Sequence, residues 1–179
     1  MSLVNLIYSV ATGPWHRRAI LTPVGLLFAV GYLLVPVFAA LHTDATLGLP
    51  RLLPRGLGMA IGLPFLAAGV ALHAWCDVLF ARAKGTGIPF NPPRGVVTVG
   101  PYAWVRNPML IAGFAGLLGV GFILGSVSLV LVWTPVFVVL NVIELKLVEE
   151  PELDRRLGFS YSEYKRHVPM FLPRAPRRS

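Results

Sequence analysis

Two segments of the chain concentrate residues able to do chemistry. The first reads Lys84-Gly85-Thr86-Gly87-Ile88-Pro89-Phe90 and continues to Gly100-Pro101-Tyr102-Ala103-Trp104-Val105-Arg106-Asn107-Pro108. Gly85 and Gly87 let the backbone approach a ligand closely and turn its N–H groups on a carboxylate or phosphate. Gly100-Pro101 is a turn signal, and Arg106 stands where an apolar run begins, so that it and a helix N-terminus would both favour an anion. The second segment opens on Glu149-Glu150, continues through Leu157-Gly158, Tyr161 and Tyr164, and closes on Val168-Pro169 and Pro173. On a helix, adjacent carboxylates point about 100° apart, so one can face a ligand ammonium or ribose while the other stays solvated. Tyr161 and Tyr164 share a face.

Taken singly, each feature has a plainer structural reading. Gly-x-Gly is often no more than a flexible loop. The Lys146/Glu150 spacing of four fits a soluble helix face, and paired tyrosines usually pack. His73 and Asp77 also lie four apart, inside an otherwise apolar run. Ionisable groups at membrane depth are costly, so the pair either bonds to itself or a neighbouring helix, or lines a cavity. The lone cysteine, Cys76, leaves no disulfide within the chain and no CxxC knuckle, and no metal is expected.

The elements that must position these residues are membrane helices. Of 179 residues, 55% are hydrophobic and 13% charged, too apolar a balance for an ordinary soluble domain. About 20 apolar residues cross a bilayer as helix. Residues 19–41 hold no charge, and Pro23 and Pro36 are tolerable in a membrane helix whose neighbours satisfy the freed carbonyls. A second run covers 56–80, between Arg55 and Arg82, with Gly58 and Gly62 in a GxxxG spacing that permits close helix contact. The run from Met109 to Ile143 is 35 residues, right for two tight crossings broken at Gly125-Ser126. This gives spans at 108–124 and 126–146, with Ser126 able to cap the second. Leu3–Val10 is too short to span and reads as an interfacial segment, and the basic His16-Arg17-Arg18 after it does not make a cleavable signal peptide.

The expected fold is therefore an all-α polytopic bundle, one domain over residues 1–179, with four transmembrane helices of which the last two form a hairpin. A short N-terminal interfacial helix and a cytosolic helical tail complete it. The formal charge of +8 sits in loops and tail, not among base-stacking aromatics, so the partner is the bilayer and no nucleic acid is expected. The positive-inside rule puts both termini, the 81–108 loop and the 149–173 tail in the cytosol, consistent with a bacterial inner membrane.

Together the two segments resemble the isoprenylcysteine carboxyl methyltransferase and phospholipid N-methyltransferase families of integral membrane enzymes. The loop is similar to their G-x-G followed by G-P-Y-x-x-V-R-[HN]-P, through Gly85, Gly87, Gly100, Pro101, Tyr102, Val105, Arg106, Asn107 and Pro108. The tail resembles E-E-x-x-L-x-x-x-[FL]-G-x-x-Y-x-x-Y-x-x-x-V-P, through Glu149, Glu150, Leu153, Leu157, Gly158, Tyr161, Tyr164, Val168 and Pro169. Two ordered motifs flanking a hairpin, over roughly the last 100 residues, are far more specific than either alone.

The resemblance implies S-adenosylmethionine as cofactor, held at the cytosolic end of the final helices beneath the folded-over tail. It implies binding roles for Gly85, Gly87, Gly100, Pro101, Tyr102, Arg106, Asn107 and Pro108 of the loop. In the tail the same roles fall to Glu149, Glu150, Tyr161 and Tyr164, with Arg106 and Glu149 nearest the reaction. The acceptor would be a lipophilic or lipidated carboxylate, thiol or amine. Many members have His where this chain has Asn107 and Tyr where it has Met109; Asn cannot titrate, so no general base is expected there and acceptor specificity does not carry over. Two other readings remain at this point. An NADPH-dependent reductase of the sterol-reductase type shares an R-[HN]-P element, but the Glu149-Glu150 pair would repel its cofactor's phosphates. A small non-enzymatic assembly factor would bind neither cofactor.

Overall fold

The computed structural model describes residues 3–172; Pro173 and the rest of the basic C-terminal end lie outside them. Helix α1 covers Leu3–Ala11, α2 Trp15–Leu47, α3 Arg55–Arg82 and α4 Pro108–Leu124. After the Gly125 turn the chain runs helically from Leu129 to Leu157, as α5 (Thr134–Glu144) between two π-helical turns, Leu129–Trp133 and Leu145–Glu149, and then α6 (Glu150–Leu157). Helix α7 spans Phe159–His167, and a single 3₁₀ turn covers Gly100–Ala103. The described residues contain no strand. Three helices are long and apolar enough to cross a membrane, His16–Leu47, Arg55–Arg82 and Leu129–Leu157, and the apolar α4 is shorter.

These helices overrun the uncharged runs read from the sequence. Helix α2 continues past Leu41 until Gly48 takes the left-handed conformation, where its N–H bonds Asp44 O. Lys146 ends the apolar part of the last long helix but not the helix, since charged residues with long stems are good helix formers.

The core contact is α3 against α4, built on absent side chains. Gly58, Gly62 and Gly69 are buried on one face of α3. A Cβ on Gly62 would lie 2.6 Å from Gly119 O, and one on Gly69 2.7 Å from Ala112 O. Gly119 returns the fit, its Cβ position lying 2.6 Å from Leu66 N. The GxxxG spacing is thus the seam along which two antiparallel backbones touch, where dispersion and Cα–H···O contacts replace the hydrophobic drive that lipid does not supply.

The α4–α5 reversal turns on Gly125, left-handed at φ 68°, whose N–H bonds Gly121 O and Phe122 O. Ser126 caps the next helix, its Oγ accepting from Leu129 N–H at 3.0 Å, and Ser126 Oγ itself donates to Asp44 Oδ2. Asp44 Oδ1 also accepts from Ser128 N–H at 3.0 Å, so a carboxylate from α2 sits on the positive end of this helix. Arg51 answers at the other polarity, donating to Ile123 O at 3.4 Å near the α4 C-terminus. Phe114 and Phe137, 6.2 Å apart edge to face, join the hairpin at mid-length.

The end opposite Gly125 gathers the chemically dense segments. The chain after α7 returns to the start of α4, where Arg106 N–H bonds Pro169 O at 2.8 Å and Asn107 N–H bonds Met170 O at 3.3 Å. Helix α1 lies on α6: Arg155 donates to Asn5 Oδ1 at 2.6 Å and covers the Tyr8 ring at 4.1 Å.

The α3–α4 seam is tested by Gly62→Leu, which forces the two backbones apart and is expected to cost roughly 2 kcal/mol or more and lower the thermal midpoint in detergent. Gly31→Leu on α2, where a Cβ meets nothing within 4 Å, should leave the midpoint near that of the wild type.

Candidate functional site

Arg106 and Glu150 close the site. Arg106 is set two residues before α4 by the Gly100–Ala103 turn; Glu150 is aimed by the π turn Leu145–Glu149, whose wider register rotates the residues after it. Arg106 Nη1 lies 2.6 Å from Glu150 Oε1, with the two side chains only 11% and 12% exposed. Lys165 Nζ takes the other oxygen, Oε2, at 2.6 Å. Arg106 Nη1 also reaches Tyr161 Oη at 3.4 Å, and Tyr164 Oη donates to Tyr102 O at 2.7 Å. Burial would raise the Glu150 carboxyl, but hydrogen bonds and charge from Lys165 and Arg106 hold it below its usual range. Breaking a buried pair by removing one partner costs about 3–5 kcal/mol, because the survivor is left charged and unpaired.

Glu149, one residue earlier, turns the other way. It makes no hydrogen bond among the described residues and faces a half-open cavity of about 230 Å³. Its surface is exposed, but to the cavity, and protein surrounds it closely. Burial, then Glu144, Glu152 and Glu150, push its carboxyl up to about 7, against the opposing charge of Arg156. The apolar floor is Phe80, Met109 and Leu110, and one wall is the loop through Gly87, Ile88 and Pro89. Tyr161 and Tyr164 of α7 and Ile7 of α1 also line the cavity. Burial pushes the Tyr161 phenol up to about 12 and raises Tyr164 as well, so both remain protonated hydrogen-bond donors at neutral pH.

Seven of the sequence-derived residues border this cavity: Gly87, Tyr102, Arg106, Asn107, Glu149, Tyr161 and Tyr164. The other five stand behind it. Gly85 packs on the Pro92–Pro93 backbone; Gly100, at φ 60°, on Leu79 and Trp75; Pro101 and Pro108 are buried at the first turns of their helices. Glu150 is held in the ion pairs. His73 and Asp77 face each other at 3.6 Å, about half exposed, and do not border the cavity.

Residues that sequence reasoning passed over include Lys165, whose partner lies across a helix break, and Glu144, which falls inside the expected span 126–146. Arg156 is another: its Nε bonds Glu152 Oε1 at 2.7 Å, a spacing of four that was legible, while its bond to Pro93 O at 2.9 Å was not. Met109 lies under Gly87, where a Cβ would come 2.5 Å from its Cε. Both positions at which the sequence departs from the pattern it resembles, Asn107 and Met109, therefore border the cavity.

The two carboxylates are expected to respond oppositely to pH. Glu150, depressed in the fold, stabilises above its unfolded value, and that contribution disappears as pH falls through its folded value. Glu149 keeps its proton in the fold while the unfolded chain ionises, so stability falls as pH rises between about 4.5 and about 7. Thermal midpoints across pH check both: Glu150→Gln should lower the midpoint at pH 7, whereas Glu149→Gln should abolish the decline across that window. An unchanged decline would show that Glu149 is not desolvated.

The family model for phospholipid methyltransferases matches residues 57–159, from the first turn of α3 into α7, and so includes the loop, Arg106 and both glutamates. Among curated proteins, the chain is 24% identical over 116 residues to the nickel-cobalt-cadmium resistance protein NccN of Alcaligenes xylosoxydans xylosoxydans. That alignment covers 65% of this chain and 50% of the relative, so the chain spans about half the length of the curated protein it matches. No solved structure matches. With a family model covering more than half of its length and framing the cavity, the chain belongs to the phospholipid methyltransferase family.

Proposed function

We propose that the protein transfers a methyl group from S-adenosylmethionine to a lipophilic acceptor, at the cytosolic end of a four-span bundle in a bacterial inner membrane. The observation that carries this reading is Glu149: an unbonded carboxylate facing a cavity at the end of the apolar helices, in a chain of a membrane methyltransferase family. The donor set fits the cofactor. Arg106 Nε is buried without a hydrogen-bond partner beside the cavity, which suits a carboxylate, and Glu149 suits an ammonium or ribose hydroxyls. Phe80, Ile88 and Pro89 supply apolar surface for a purine.

When bound, the cofactor supplies a sulfonium-activated methyl and its own leaving group, so the protein's work is alignment and desolvation. The Arg106–Glu150–Lys165 cluster fixes the tail over the cavity, and the apolar floor excludes water. The acceptor enters laterally from the bilayer past Met109 and Leu110. A carboxylate or thiolate needs no further activation; an amine must arrive neutral or become neutral.

Four crossings result if α4 traverses the layer that α3 does, since the two touch from Gly58 to Gly69. Arg17, Arg18, Arg82, Lys84 and Arg94 then lie at the cavity end, against Arg51 and Arg55 at the other, a bias that supports a cytosolic cavity end. In cells, cysteines at Lys84 and Arg166, both exposed, should react from one side and a cysteine at Leu47 from the other. Labelling of the Lys84 and Arg166 positions from opposite sides would leave an odd number of spans.

Calorimetry on the detergent-purified protein tests the cofactor. Glu149→Gln should weaken S-adenosylmethionine binding roughly ten- to a hundredfold with the fold retained, the effect of one lost charge-assisted hydrogen bond. Saturable NADPH binding without S-adenosylmethionine binding would replace the methyltransferase reading with the reductase one, and binding of neither would favour an assembly role.

A further inference from the structure

A second cavity, of about 200 Å³, lies beside the first, between the end of α1, the start of α2 and the Pro92–Pro93 strip. Three guanidinium groups converge on it, Arg18, Arg94 and Arg156, and no carboxylate lines it. We propose that it is a binding site for a phosphate group, carried by an anionic lipid headgroup at the membrane surface.

The three arginines are held differently. Arg18 is fixed from one side: its Nη2 donates to Asn91 Oδ1 at 2.6 Å and to Pro92 O at 3.3 Å. Its Nε is buried and has no hydrogen-bond partner. Arg156 is fixed through Nε by Glu152 and through Nη1 by Pro93 O, which leaves its Nη2 to donate to a ligand. Arg94 is exposed and makes no hydrogen bond or ion pair among the described residues. Of three positive charges, only that of Arg156 therefore has a carboxylate beside it. Like charges gathered around a pocket repel, and an orphaned guanidinium N–H costs free energy; an oxyanion in the pocket relieves both. Arginine forks suit phosphate oxygens better than any other side chain does.

The position selects the source of the phosphate. Arg18 stands on the first turns of α2, directly before the uncharged residues 19–41, hence at the depth of the headgroups. Beyond it α2 presents Ile20, Val24 and Leu27, 70%, 56% and 75% exposed, an apolar surface suited to acyl chains. The site is independent of the proposed methyl transfer, although it shares Pro92, Pro93 and Arg156 with the first cavity.

The test uses the full chain in a non-ionic detergent, with dihexanoyl phosphatidylglycerol and inorganic phosphate as separate titrants. Arg94→Gln should weaken binding of the short-chain lipid by roughly tenfold or more without moving the thermal midpoint, since Arg94 bonds nothing in the fold. Arg55→Gln, an exposed arginine at the opposite end of α3, should leave it unchanged. Binding of inorganic phosphate as tight as that of the lipid, and equally lost in Arg94→Gln, would keep the phosphate site and overturn the lipid source. Equal lipid binding in the wild type and Arg94→Gln, or an equal loss in Arg55→Gln, would overturn the site itself. A parallel loss of S-adenosylmethionine affinity in Arg94→Gln would assign the pocket to the neighbouring cavity instead. If the wild type binds lipid but not S-adenosylmethionine, the phosphate site stands and the methyltransferase reading fails.

Discussion

The cavity end of this protein depends on one cluster, the largely buried pair Arg106–Glu150 with the half-buried Lys165. It joins residues 44 apart in the chain through the Arg106–Glu150 hydrogen bond, and brings the start of α4, the head of α6 and helix α7 to one point. Such a cluster is a weak source of net stability, because desolvating three charges offsets most of their attraction. Its value lies in geometry: both Glu150 oxygens are engaged, so the tail has a single well-defined position over the cavity. With Glu150 committed, Glu149 is the carboxylate of the pair that borders the cavity.

Charge is sorted at this end on a small scale. One cavity is bordered by Glu144, Glu149 and Glu152 and the other by three arginines, and the two share the Pro92–Pro93 wall. Burial first, and then the neighbouring carboxylates, push the Glu149 carboxyl up to about 7; Arg156 bonds Glu152 and borders both cavities. The opposite end uses charge only structurally, with Asp44 on a helix N-terminus and Arg51 at a helix C-terminus.

Much of the scaffold was legible because membrane helices obey a narrow code. The Gly58-x-x-x-Gly62 spacing, weak as a pattern in so glycine-rich a chain, is the α3–α4 seam, and Gly125-Ser126 is the turn and cap it was read to be. Legibility ended where non-local geometry decides. Nothing in the order Glu149-Glu150 tells which one turns inward; a π turn immediately before Glu150 settles it, and π turns have no sequence signature. Arg106 was read as a ligand-binding cation, and its engagement with Glu150 became visible only when the tail was seen folded over it. The span 108–124 coincides with α4, whose ends Pro108 and Gly125 mark; elsewhere loss of hydrophobicity marks where lipid would stop, not where the helix does.

Methyl transfer at the cavity to a molecule of the membrane is the central proposal for this protein. The direct measurement is incubation of the purified protein with methyl-labelled S-adenosylmethionine and a total membrane extract, followed by isolation of the labelled product. Label is expected in a lipophilic product with the wild type, with a large loss for Glu149→Gln in a protein whose thermal midpoint is retained. Equal label with Glu149→Gln, or none with a wild type that binds the cofactor, would contradict the proposal.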